Sequence, residues 1–285
     1  MTARLAIAAV ILLLDSASDL IAGPFAPAAG QTGSTAIHYN DPRIVAWGSS
    51  VGELVRGPYD ISDPDSPFVS FGNPGAALGP PNGFDPDTGL PRTSADAVVS
   101  LGDAGFITVL FPSPIDDGPS WDFAVFENAF DDTFLELAFV EVSSDGVHFV
   151  RFPSTSLTQT TTQVSQSSTT NALDPTDLDG LAGKYRVGWG TPFDLSVLAG
   201  APNLDIHRVT SVRIVDVVGS IDPLYARRDS SGRIINDPWV TPFNTGGFDL
   251  DAIGVINAIP EPGSTHLLLA ASAVVALMRR KGPEV

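Results

Sequence analysis

The stretch 121–152, WDFAVFENAFDDTFLELAFVEVSSDGVHFVRF, restricts the fold more than any other part of the chain. Val140 and Val142 alternate with Glu141 and Ser143, the period of two that marks a strand with one buried face. Asp145-Gly146 follows, and a tight hairpin needs the positive φ that this pair tolerates at low cost. Phe149 is then expected to fold back onto the valine face, with Arg151 at the exit. DFAVF, ahead of the hairpin, reads as a further strand.

Elsewhere 27 glycines and 24 prolines punctuate short apolar runs, and helical periodicity is scarce. That pattern favours an all-β sandwich or barrel. Residues 43–47 read as a first strand and 49–55 as a short helical turn. The proline-rich stretch 60–96 reads as ordered loops, since proline is excluded from sheet interiors. Residues 97–101 and 106–111 read as a hairpin across Gly102-Asp103-Ala104-Gly105. The Ser/Thr/Gln-rich stretch 153–172 is expected to be a surface excursion without a packed core. Thr191-Pro192-Phe193-Asp194 has the form of a helix start, with Thr191 as N-cap, leading to about residue 198. Residues 209–218 and 247–257 read as the last two long strands.

The formal charge of −18 argues against nucleic acid, whose phosphates call for Lys and Arg. It suits an exported protein that meets cations, calcium first among them, and it also serves plain solubility. Cysteine is absent, which removes disulfides, thiolate nucleophiles and cysteine-held zinc.

Both ends read as sorting signals. Arg4 and the apolar run LAIAAVILLL, followed by small residues up to Gly30, have the grammar of a secretory signal peptide, assigned to 1–30. At the other end Pro260-Glu261-Pro262 precedes an apolar run from 267 to 278, and Arg279-Arg280-Lys281 close it. The run has no polar face, so it is expected to enter the inner membrane as a single transmembrane helix with its basic tail in the cytoplasm. This segment, 259–285, resembles the PEP-CTERM sorting signal. The resemblance implies processing by an exosortase-type membrane protease and a cell-envelope or secreted location. VEVSSDGVHFVRF, with ALGPPNG at 77–83, is similar to phrases of galactose-binding-like, discoidin-type domains. Together with GLAGKYRVGWGTPFDL, VRIVDVVG and GGFDLDAIGVIN, it resembles bacterial cell-surface proteins of that build. The likeness implies an antiparallel jelly-roll β-sandwich over 36–258, of a kind that mostly binds and seldom cuts.

Six residues are candidates for one structural Ca²⁺ site: Asp122, Glu127 and Asn128 around the strand DFAVF, Asp216 in an apolar strand, and Asp249 with Asp251. The last two lie two apart, so their carboxylates share a strand face. A carboxylate on a core face needs a cation, an arginine or several backbone donors. Hard oxygens at strand ends suit calcium, while turn caps or pairing with Arg151, Arg208 or Arg213 would account for the same residues. DPTDLDG and DPDTG lack the full spacing of a calcium loop. Trp189 and Trp239, beside glycine and proline, are candidates for stacking on a sugar ring, and Trp121 for the core. No catalytic residue is assigned: the four histidines are scattered, and neither HExxH nor GxSxG occurs. The expected function is a non-catalytic envelope module that binds or builds extracellular polysaccharide. The alternative is a carbohydrate-active enzyme using paired carboxylates.

Overall fold

The computed structural model describes residues 22–260 except 86, 89, 93 and 167–172. The part of the expected signal segment up to 21 and the expected sorting residues Glu261, Pro262, Arg279, Arg280 and Lys281 lie outside the described residues, while Pro260 closes them as an exposed residue. No helix among the described residues is long and apolar enough to cross a membrane.

The described strands are β1 (Ile37–His38), β2 (Ala46–Trp47), β3 (Ser50–Val55), β4 (Val99–Ser100), β5 (Phe106–Ile115), β6 (Phe123–Glu127) and β7 (Ala138–Ser143). They continue with β8 (Val150–Arg151), β9 (Thr155–Ser156), β10 (Leu178–Asp179), β11 (Trp189–Phe193), β12 (Val209–Asp216) and β13 (Asp249–Val255). One sheet runs β3-β5-β12-β7-β8; the other runs β1-β11-β6-β13-β2, with β4 also on β13. All pairs are antiparallel. Val109, Val140, Val142, Val212 and Ile214 from the first sheet meet Phe123, Val125, Leu250, Ile253 and Val255 from the second in one core. The two sheets therefore form a β-sandwich, in which one face of each packs on the shared core, while β6 and β13 are buried on both faces. The pair β9–β10 stands apart from both sheets, and Leu178 of β10 joins a second cluster with Phe139, Leu137 and Val217.

The 138–151 hairpin forms as expected, with Gly146 at φ 73°. Its register pairs Val150 with Val142, so Val150 takes the valine face and Phe149 lies on the other. There the Arg213 guanidinium sits 3.7 Å from the Phe149 ring centre. Four other expectations are corrected. Residues 50–55 are not a helical turn but the edge strand β3, drawn out by pairing with β5. Residues 97–111 are not a hairpin: β4 pairs with β13 while β5 pairs with β3 and β12, so the glycine turn carries the chain from one sheet to the other. Thr191 and Pro192 belong to β11 opposite Val125 and Ala124, and Asp194 is the cap of a short 3₁₀ turn, Leu195–Leu198. The excursion after 153 is not wholly superficial, because Val164 is buried and Asn236 Oδ1 accepts its amide at 3.0 Å.

Candidate functional site

β11 places Trp189 beside His38 of β1, its Cα partner. The two rings meet edge-on with centres 4.7 Å apart. Tyr39 follows, 4.4 Å from His38 and 4.6 Å from Phe84 of the proline-rich loop. These four rings and Arg186 wall a hollow of about 270 Å³. Arg186 is fixed in place by Asp132, at 2.6 and 2.7 Å, and by the Ala29 carbonyl at 3.0 Å. The result is an aromatic wall held rigid by a sheet edge, with a planar cation beside it. Trp239 is placed otherwise. Its indole N–H donates to Asp103 Oδ2 at 2.9 Å, and its ring stacks on Tyr225. Trp121 packs partly against the cluster of Ile37, Ala124 and Phe126, in line with a core role.

The six candidate metal residues separate into two ends of the sandwich. Asp122 precedes β6 and Glu127 ends it, roughly 16 Å apart at the rise of a strand. Asp122 is fully buried. Its Oδ1 accepts from the Gly118 amide at 2.7 Å and Asn257 Nδ2 at 2.9 Å, and its Oδ2 from the Leu195 amide at 2.7 Å. Asp117 and Asp194 bring carboxylate oxygens within 4.8 Å of it. Burial pushes Asp122 above the ordinary carboxylate range against those donors.

The other end gathers the remaining acids. β6 ends and β13 begins there, with Glu127 opposite Leu250. β12 ends and β7 begins there too, with Asp216 opposite Ala138. Asp216 ties the two sheets together: its Oδ1 accepts from the Phe248 amide at 2.8 Å and its Oδ2 from the Ala104 amide at 3.0 Å. Burial, reinforced by Asp103, pushes it up to about 8. Glu127 Oε2 accepts from the Ala129 amide at 2.7 Å, while Oε1 has no partner among the described residues. Asn128 beside it is also buried. Asp249 accepts from the Ser100 hydroxyl, and burial pushes it up to about 7 against the pull of Arg56.

Asp249 and Asp251 share the strand face opposite Leu250. A shift of register beyond Leu250 then turns Ala252 to that same outer side, where it packs with Phe126. Asp251 Oδ1 accepts from the amides of Asn82 and Gly83 at 2.7 and 2.9 Å, and Oδ2 has no partner among the described residues. A side chain on Gly83 would stand 2.6 Å from that Oδ2, so only glycine lets the loop approach.

Sequence reasoning missed two members of this end, Glu136 and Asp237. Glu136 stands two residues before β7, and Asp237 Oδ2 accepts from the neighbouring Leu137 amide at 3.0 Å. Burial raises both well above the ordinary range, and for Glu136 the charges of Asp249 and Glu127 add to it. His38, Tyr39, Phe84 and Arg186 were also missed as companions of Trp189. Aromatics clustered on a proline-rich loop and a short strand were the one available signal. Compared with protein-family models, curated proteins and solved structures, the chain matches none, so what it does is read from its own residues.

Proposed function

We infer that the chain is an exported, non-catalytic module of the cell envelope that binds extracellular polysaccharide, on a jelly-roll form of the sandwich. The hollow of Trp189, His38, Tyr39 and Phe84 carries this reading. Aromatic rings beside a fixed guanidinium suit a sugar ring, whose C–H face stacks and whose hydroxyls or acid group accept hydrogen bonds. The acids that a glycosidase would need do not favour the catalytic alternative. Glu127 and Asp249 are 1% and 6% exposed, so no glycosidic bond reaches them. The N-terminal apolar run and the motif Pro260-Glu261-Pro262 with its basic tail Arg279-Arg280-Lys281 support export, passage through the inner membrane and handling by an exosortase-type protease.

A glycan array with a parallel assay for new reducing ends tests the reading. Binding without turnover is expected, and Trp189→Ala should weaken it at least tenfold, about 1.4 kcal/mol, without moving the melting temperature by more than a few degrees. Hydrolysis that disappears in Glu127→Gln or Asp249→Asn would reverse the choice. Recovery of the intact chain from the cytosol, with both ends unprocessed, would remove the envelope from the account.

A further inference from the structure

We propose that the hollow between the hairpin 227–235 and the stretch 156–160 is a further binding site, in which Arg228 and Arg233 hold the carboxylate or sulfate groups of an anionic polysaccharide. The hollow measures about 390 Å³. Both arginines line it, together with the hydroxyl residues Ser156, Thr158 and Thr160; among the described residues no acid does.

The two guanidiniums keep most of their donors free. Arg228 gives one Nη1–H to the Gly232 carbonyl at 2.9 Å, and Arg233 gives its Nε–H to Asp229 Oδ2 at 2.9 Å. Their other side-chain N–H groups have no partner among the described residues. Arg43, Arg151, Arg186 and Arg213 each rest on a carboxylate, whereas Arg228 has no acid at ion-pair distance among the described residues. Asp229 balances Arg233, but its oxygens are filled. Its Oδ1 accepts from the Ser231 and Arg233 amides, both at 2.9 Å, and its Oδ2 also accepts from the Ser156 amide at 3.1 Å. That side chain is wholly buried and takes no part in the lining, so Arg228 leaves the hollow with a net positive charge.

The site is also pre-formed. Arg228 stands opposite Ile234 in the hairpin, which is closed by hydrogen bonds from the Asp229 amide to the Arg233 carbonyl and from the Ile235 amide to the Arg227 carbonyl, both 2.9 Å. The Ser154 amide donates to Ser230 Oγ at 2.9 Å, and the Ser230 amide donates back to the Ser154 carbonyl at 3.0 Å. Beyond the hollow, buried Asn236 donates from Nδ2 to the Gln159 and Thr162 carbonyls at 2.6 and 2.9 Å. The hydroxyl-rich composition that reads as a plain surface excursion is thus one side of a built hollow.

Its chemistry selects an oxyanion on a sugar. Thr158 Oγ1 accepts from the Ser156 hydroxyl at 3.2 Å and so keeps its own O–H to donate. Guanidinium forks flanked by hydroxyl donors match the oxygens of a carboxylate or a sulfate. Leu157, 39% exposed, offers an apolar contact to the C–H face of the sugar that carries the anion. The overall charge of −18 does not forbid this, because at physiological salt charges beyond about 8 Å are largely screened and the local sign decides. The choice of a polysaccharide rests on the reading of the Trp189 hollow, with which this site shares no residue.

The test is calorimetric titration of the folded full chain with a galacturonic acid oligomer, a sulfated dextran oligomer and the same dextran without sulfate. Binding of at least one anionic oligomer is expected, and which one binds separates carboxylate from sulfate. The affinity should fall as salt is raised from about 0.05 M to about 0.5 M. Arg228→Gln with Arg233→Gln should weaken binding roughly tenfold or more. Because Arg233 also partners buried Asp229, Arg228→Gln alone is the variant that must melt like the parent, and it should still weaken binding several-fold. The proposal is overturned if neither anionic oligomer binds, if binding ignores salt or both arginines, or if unsulfated dextran binds as tightly through the same pair. Glycan binding that is lost in Trp189→Ala but untouched by the arginine variants would sink this site alone. Arginine-dependent binding that Trp189→Ala leaves unchanged, with no other glycan bound, would sink the Trp189 reading alone.

Discussion

Replacing Trp239 by Phe tests whether this tryptophan is an internal hydrogen-bond donor or a free sugar platform. Its indole N–H reaches Asp103 Oδ2 at 2.9 Å, and the Ile61 amide reaches the same oxygen at 2.8 Å. Asp103 is 4% exposed, and burial pushes it up to about 6, against the pull of these two donors. The sign follows from linkage. With a folded value above the unfolded 3.8, the native state holds the proton more tightly. The contribution of Asp103 to stability is therefore whole below about pH 3.8 and is lost as pH rises to about 6, roughly 3 kcal/mol in all. The indole donor limits that loss because it favours the ionised form. A hydrogen bond to a charged group contributes about 1.5–3 kcal/mol and one to a neutral group about 1. Trp239→Phe should therefore cost about 1 kcal/mol more at pH 8 than at pH 4, on top of a packing loss common to both. For a domain of this size that is a further fall of about 3 °C in melting temperature. Urea denaturation of parent and variant at both pH values, in chelator, measures the difference. In an Asp103→Asn background the pH dependence of the gap should vanish. An equal gap at both pH values would show that Asp103 is not the acceptor that matters, and would return Trp239 to the list of candidate ligand contacts.

Three further outcomes follow from close contacts. Arg56→Met strips the guanidinium from three backbone carbonyls and should cost about 3–4 kcal/mol, a fall of roughly 10 °C in melting temperature, with Arg56→Lys recovering only part. Gly183→Ala should abolish accumulation of folded protein in a soluble-expression assay, since φ is +80° and the added carbon would sit 1.8 Å from the Glu136 carbonyl oxygen. Gly146→Ala, at φ +73° with open space around it, should cost only about 1 kcal/mol by denaturant titration, isolating the backbone term from the clash.

Strands β3 and β11 were not legible, whereas β6 showed as a short apolar run and β7, β12 and β13 were legible because each carries its alternation in a handful of residues. So was the burial of Asp216, whose neighbours on its face are Val212 and Ile214. The turn at 102–105 was not, because a glycine-rich reversal reads alike whether it joins partners in one sheet or turns the corner between two. Only the distant strands β13 and β12 decide which. The same limit hid half of the acidic end. Pattern tells which face of its own strand a carboxylate takes; it does not tell which strand ends share one end of the sandwich. That depends on registers such as Glu127 opposite Leu250 and Asp216 opposite Ala138, far apart in the chain. Asp122 and Glu127 therefore looked like members of one site when β6 in fact holds them apart, while Glu136 and Asp237 were missed. Their placement changes what the acidic composition means. Negative charge kept only for solubility belongs on exposed faces, where hydration is free. Asp103, Glu127, Glu136, Asp216, Asp237 and Asp249 instead lie at 8% exposure or less at one end of the fold, where each ionised group weakens the native state.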